Sequence, residues 1–411
     1  MACANLAAFI AAAALLIQLA SLALAMRRVF VGHASAGASL GAISLLRPVC
    51  GLENNLEATL ESSFNLDHPD YEIIFCAARP GDAAAPLVRK LMRGHPEARA
   101  RLLIGDERPS ANPKLNNLAK GWSAARFPWI VMADSNIALP RDYFDRLAEC
   151  WTQDAGLVSS PAVGIAPRGV AAELECAFLN SYEARWQLAA DSLGMGFAQG
   201  KTMLWRRALL DSAGGIAALG AQAAEDAAAT KIVRRAGLKV RLSAMPFAQP
   251  LGRRSFGEVW SRQVRWARLR RASFPGFFAP EILAGGAIPL AGAAVAIAGY
   301  DLAWAWLPAF ALAWYAPELL LAQRAGWLHS WRAALMLPLR DALLPALWLC
   351  AWAGDAFIWR GNSMLATAAM ADGTSAVDNR DGNQNASPSH EQLAGGTATG
   401  AASGARVLFK T

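Results

Sequence analysis

Apolar residues are concentrated in two blocks of this chain, one at the start and one after Pro275, with a long stretch of mixed texture between them. Leu6 to Met26 is apolar apart from Gln18 and Ser21. As a helix, a run of that length covers roughly 30 Å, the thickness of a bilayer's hydrocarbon core. No basic residue precedes it and Arg27-Arg28 follow it, which predicts an uncleaved anchor rather than a signal peptide. The same arginines predict an N-terminus outside and a cytoplasmic middle segment. The second block divides into a span from Pro280 to Ala298, a turn at Tyr300-Asp301 and a span from Leu302 to Ala322. Arg324 and Arg332 then mark a cytoplasmic loop, in agreement with the first assignment. A last stretch, Ala333 to Trp359, is broken by Pro338, Arg340, Asp341 and Pro345. An Arg-Asp pair inside a bilayer is expensive unless it faces protein or water. The simpler reading starts that span near Ala342, with the pair at its interfacial end.

Composition supports a membrane protein. Hydrophobic residues make up 55% of the 411 and charged residues 17%, too apolar for a purely soluble or disordered chain. The cysteines are scattered without a CxxC, and His33, His68, His95, His329 and His390 lie in loops, near termini or in the tail. A disulfide scaffold, a zinc site and a His-driven hydrolase are therefore poor readings. From about Ala371 onward the sequence is rich in Gly, Ala, Ser, Thr and Asn, which predicts a disordered tail.

In the middle, short apolar runs such as Ile43–Leu46, Glu72–Cys76, Arg101–Ile104 and Trp129–Ala133 alternate with helical patterns. That alternation predicts βαβ units and a parallel sheet covered on both faces. Ligands of such sheets bind at the carboxyl ends of strands, where Asp134 and the region around Asp82 fall. Asp134 reads equally as a helix N-cap or as a ligand for a metal or a ribose. Gly196 to Thr202 looks like a phosphate loop, but only three residues separate its glycines and a strand-like run follows, so it is not one. Glu225-Asp226 open a helix that continues to Arg235. They suit the helix dipole, and one of them aimed into a pocket would serve as a general base. Arg253 to Arg271 holds seven arginines against the single acid Glu258, interleaved with Phe256, Val259, Trp260, Val264 and Trp266. Nucleic-acid binding is one reading of this patch. Its place just before the returning spans favours an amphipathic helix at an anionic lipid surface, and guanidinium groups there could also hold a diphosphate.

Taken in order, Arg47-Pro48, Asp82, Asn112-Pro113-Lys114-Leu115-Asn116-Asn117-Leu118, Asp134-Ser135-Asn136-Ile137, Ala224-Glu225-Asp226 and Arg262-Gln263-Val264-Arg265-Trp266 resemble a known signature. It is the D, D, D, (Q/R)xxRW pattern of membrane-bound processive-type glycosyltransferases. The similarity is strongest to the ceramide glucosyltransferase group, with its bacterial relatives associated with hopanoid lipids, and it covers about residues 40–275.

The resemblance implies a GT-A type α/β domain that binds a nucleotide sugar, with one N-terminal and about three C-terminal transmembrane helices. The division it implies is an anchor over 1–30, a cytoplasmic catalytic domain over 40–250 and an interfacial helix over 251–275. Transmembrane helices follow over 276–360 and a tail over 361–411. It implies that Asp82 contacts the uracil or ribose of a UDP-sugar, that Lys114 lies near the nucleotide, and that Asp134 helps hold Mg2+ or Mn2+. Asp226 is implied as catalytic base, with Arg262, Arg265 and Trp266 closing over the diphosphate and the acceptor. The implied reaction is an inverting transfer of one sugar to a membrane lipid of ceramide or hopanoid type, in a bacterial-type inner membrane and without nucleic acid. A processive polysaccharide synthase shares this core but would need a larger bundle of spans. A non-enzymatic anchored binding protein would leave the carboxylates unexplained. The sequence departs from the pattern at Asp134-Ser135-Asn136, which lacks a second carboxylate, and around Asp82, which is poor in acids.

Overall fold

The alternating runs of the middle segment build one seven-stranded sheet. Its strands are β1 Ile43–Val49, β2 Tyr71–Ala77, β3 Ala100–Ile104, β4 Trp129–Ala133, β5 Ala155–Ser159, β7 Thr202–Arg206 and β8 Lys239–Leu242, and their order is β3-β2-β1-β4-β7-β5-β8. A computed structural model describes residues 1–31, 40–327, 330–359 and 362–367 of the chain. Every residue of β1 is buried, as expected of a central strand covered by helices on both faces.

The expected all-parallel sheet is corrected in one strand. β1, β2, β3 and β4 pair in parallel, as do β5 and β8, but β7 runs antiparallel to both β4 and β5. The reason lies in how the chain enters β7. It arrives at the edge where β4 ends, and the Asp134 amide donates to the Lys201 carbonyl at 3.0 Å. Gly200 and Lys201 are thereby set beside the carboxyl end of β4, where a parallel sheet binds its ligands. β6 (Ala162–Arg168) and β9 (Phe247–Arg253) form a separate parallel pair. Val170–Ala177, a π-helical stretch Phe178–Ala184, and Arg185–Ser192 form one long helical run.

The N-terminal apolar block is a single helix, Ala2–Val31. It and Trp331–Trp352 are long and apolar enough to cross a membrane. Pro275–Leu283 with Ala287–Gly299, bent by 47°, makes a third if the pair is one span. The segment expected to span 302–322 forms the helix Trp306–Arg324, long enough but lowered in apolarity by Pro317, Glu318 and Gln323. The N-terminal helix packs on Ala287–Gly299 through small residues: a methyl group on Gly299 would sit 2.5 Å from the Ala4 Cβ. Arg28 is not a free flanking charge, because it is buried against Asp191 at 2.9 Å. Arg340 and Asp341 do not lie at an interfacial end either. They sit inside the helix Trp331–Trp352, buried, paired with each other at 2.6 Å, and Arg340 reaches Glu318 at 2.6 Å. Residues 362–365, placed in the tail by sequence, instead pair as a strand with Ala356–Trp359. Residue 361 and the expected tail beyond residue 367, with His33, His329 and His390, lie outside the described residues.

Candidate active site

All seven residues singled out by sequence line one cavity of about 1940 Å³. Asp82, Lys114, Asp134 and Asp226 reach it from four separate places in the chain, and Arg262, Arg265 and Trp266 from one helix.

Lys114 stands in the first turn of the helix Pro113–Ala124, whose start is fixed by the Asn112 side chain accepting from the Lys114 and Leu115 amides at 2.9 and 3.2 Å. Its ammonium group lies 2.7 Å from Asp134 Oδ1 and 2.8 Å from Glu225 Oε1, and it also donates to the Gly200 carbonyl. Burial alone would lower the Lys114 pKa. The two carboxylates more than offset it, so the net shift is upward and the lysine stays charged. Asp134 follows β4 directly and enters a loop, so the N-cap alternative falls away.

Asp226 opens the helix Glu225–Arg235. Its Oδ2 accepts from the Gly200 amide at 3.0 Å and its Oδ1 from the Ala227 amide at 2.8 Å. Burial, and then the neighbouring Glu225 charge, push its carboxyl up to about 6. Glu225 itself is tied down by Asn112, which donates to its Oε2 at 2.8 Å. Gly200 is needed for this close assembly: a Cβ there would lie 2.7 Å from Glu225 Oε1 and 3.3 Å from the Lys114 ammonium. Asp82 holds a neighbouring loop, accepting from the amides of Gly51 and Ala84 at 2.9 and 2.8 Å.

The arginine-rich helix runs from Phe256 to Ser273 and starts with a capping box between Ser255 and Glu258. Four of its arginine-rich segment's side chains reach carboxylates of the protein: Arg254 and Arg262 share Glu175, Arg270 binds Glu281, and Arg271 binds Asp355. Arg265 lies over the Trp359 ring at 5.7 Å. Trp266 faces the Lys201 ammonium at 5.9 Å.

Lys201 is the residue that sequence reasoning missed. It was dismissed with the false phosphate loop, yet it lines the cavity near Asp134 and Arg262. Burial pulls its pKa down to about 8, with the Asp134 charge opposing that shift and Arg262 adding to it. A Gly-Lys pair entering a strand beside the carboxyl end of β4 was the signal available. Reading it required knowing that β7 runs antiparallel.

Among the described residues no group of three or more His, Cys, Asp or Glu side chains is placed to hold a metal ion. Asp134 would therefore be a lone protein carboxylate. That suits a hard cation such as Mg2+, which commonly binds through one or two carboxylates, water and substrate phosphates.

Part of the cavity lining is apolar. Phe9, Ile10, Ala13 and Ile17 of the N-terminal helix contribute to it, as do Phe274, Phe277 and Leu283. Phe9, Ile17, Phe277 and Leu283 are exposed, which is unfavourable in water and natural against lipid. One cavity thus combines a charged lining with an apolar bay.

The profile of glycosyl transferase family 21 matches residues 6–370. The chain is 29% identical over 247 residues to ceramide glucosyltransferase 1 of Caenorhabditis elegans, covering 60% of this chain and 53% of the nematode protein. It is 37% identical over 99 residues to a ceramide glucosyltransferase of Komagataella phaffii, covering 23% of this chain and 19% of the yeast protein. The chain spans about half the length of the nematode relatives it matches. Among solved structures, the mannosyltransferase PcManGT from Pyrobaculum calidifontis, in complex with GDP-Man and Mn2+, is 18% identical with a TM-score of 0.46, covering 84% of this chain and 98% of that one.

Proposed function

Since the chain belongs to glycosyl transferase family 21, we propose that it transfers one sugar from a UDP-sugar to the hydroxyl of a membrane lipid of ceramide or hopanoid type, with inversion at the anomeric carbon. The observation that carries this reading is the cavity that joins Asp226, Lys114, Asp134 and Lys201 to an apolar bay on the N-terminal helix. A water-soluble donor and a lipid acceptor can meet only in such a space.

In this reading Asp226 takes the proton from the acceptor hydroxyl while the oxygen bonds to the anomeric carbon. The bond from that carbon to the diphosphate breaks, and UDP leaves. Asp226 is suited to this because burial and Glu225 make it a stronger base than an exposed carboxylate, and the Gly200 amide fixes one of its oxygens. Asp82 contacts the uracil or ribose. Lys114 and Lys201 supply positive charge at the nucleotide end, and Arg262, Arg265 and Trp266 cover the diphosphate and acceptor from the arginine-rich helix. A divalent cation held by Asp134 would neutralise diphosphate charge when bound. The sheet, with its ligand-binding edge at β4, supports a GT-A type domain. Arg27, exposed at the end of the N-terminal helix, supports a cytoplasmic catalytic domain on a bacterial-type inner membrane.

The test is direct. Detergent-solubilised protein and an Asp226→Asn variant are incubated with a panel of UDP-sugars, Mg2+ or Mn2+, and a mixed bacterial lipid extract. Mass spectrometry should find a lipid heavier by one sugar that is absent with the variant. Long polymer as the only product would move the reading to a polysaccharide synthase. A donor untouched under every condition would remove the enzymatic reading.

A further inference from the structure

Three buried polar atoms on one helix face have no hydrogen-bond partner, and all three side chains line the cavity. They are Glu183 Oε1, Trp186 Nε1 and Gln187 Oε1. Positions three and four apart share a face of a helix, so the three side chains converge. They fall where the π-helical stretch Phe178–Ala184 gives way to the helix Arg185–Ser192, and π-turns recur at functional sites. The helix Arg185–Ser192 packs on the N-terminal helix, whose Phe9, Ile10 and Ala13 line the apolar bay. The unpartnered atoms therefore sit on a helical run that packs against the helix carrying those apolar residues. Buried polar groups are ordinarily paired, and three adjacent exceptions facing one space call for a ligand.

Their chemistry defines that ligand. An indole N–H must donate, the Gln187 carbonyl must accept, and a carboxyl at Glu183 opposes an anionic group. Burial raises Glu183 to about 7, with Arg270 and Lys201 opposing that rise. We infer that Glu183, Trp186 and Gln187 form an acceptor head-group subsite, selecting an uncharged lipid that carries a second donor, an amide N–H or another hydroxyl, beside the hydroxyl that reacts. The inference rests on the lipid-transfer reading above. It adds that a head group with one hydroxyl and only ester carbonyls beside it leaves Glu183 and Gln187 unsatisfied.

The experiment measures equilibrium lipid binding without any sugar donor, by native mass spectrometry in detergent. The probes are an N-acylated 2-amino-1,3-diol and a 1,2-diacylglycerol of the same chain lengths, tested on wild type, Glu183→Leu and Gln187→Leu. Affinity for UDP serves as the control for an intact fold. Wild type should prefer the amide diol by about tenfold or more, the scale of one unsatisfied buried group. Each variant should shrink that preference to about twofold while its UDP affinity is unchanged. Equal binding of both lipids by wild type, or an undiminished preference in variants that still bind UDP, overturns the inference. If Glu183→Leu loses UDP binding, Gln187→Leu alone carries the result. Equal binding of both lipids by wild type that still binds UDP would sink the subsite alone. Absence of UDP binding by wild type would sink the glycosyltransferase reading instead.

Discussion

At Asp226 a carboxylate is held by the Gly200 amide in a buried site next to Glu225, and both burial and the like charge raise its pKa to about 6. A base with a raised pKa is active in its ionised form, so activity should be full above that value and fall as the pH drops through about 6. Glu225→Gln removes the like charge, and the acid limb of kcat should move to lower pH. Asp226→Asn should reduce kcat by roughly 10²- to 10⁴-fold with little change in donor affinity. A limb that stays fixed in Glu225→Gln would show that another group titrates. Gly200 offers an independent check, because its missing side chain is what lets Glu225 and Lys114 approach. Gly200→Ala should lower kcat/KM by about tenfold or more through displaced carboxylates, while the melting temperature stays close to wild type.

The helix Phe256–Ser273 shows how far an element's role can be read from its sequence. Its existence was legible but not its start: the helix expected over 251–275 begins only at Phe256, because residues 251–253 finish β9 and the Ser255–Glu258 capping box sets the first turn. Its partners were not legible. The arginines suggested an anionic lipid surface, yet Arg254 and Arg262 converge on Glu175, a buried residue 87 positions from Arg262 in sequence. Nothing local in a chain marks so distant a partner. The same limit hid Lys201: strand identity was legible at β4, whose residues 129–133 form one apolar run, but the direction of β7 depends on a loop that only the fold defines. The positions of Lys114, Asp134 and Asp226 were legible because each directly follows a strand or stands in the first turn of a helix, and that of Asp82 because it lies in the loop after β2. The ion pairs make a prediction for the element as a whole. Glu175→Gln should loosen the helix and raise the KM for the UDP-sugar by about tenfold, with a smaller effect on kcat.

Across the whole molecule, the apolar-rich helices are joined to the α/β domain by a buried, charge-balanced cluster. Arg340 pairs with Glu318 and Asp341, each at 2.6 Å, and donates to Ser181 Oγ and the Ala177 carbonyl, both at 3.2 Å. Gln18 of the N-terminal helix donates to Glu318 at 3.2 Å and accepts from Arg185. The cluster thus sets two arginines against two carboxylates and ties three apolar-rich helices to the helical run that carries Glu183, Trp186 and Gln187. Neither Arg340 nor Asp341 lines the cavity, so their work is to position rather than to bind. Removing one member of a buried ion network leaves its partners charged and unpaired, which costs about 3–5 kcal/mol. Removing an opposite pair keeps the balance. Arg340→Met should therefore lower the melting temperature in detergent by several degrees, whereas Arg340→Met with Glu318→Gln should lose clearly less, because Arg185 and Asp341 still offset each other. Thermal unfolding followed by tryptophan fluorescence distinguishes the two outcomes. Equal losses in the single and double variants would mean that the packing of these side chains, and not the balance of their charges, holds the apolar-rich helices against the α/β domain.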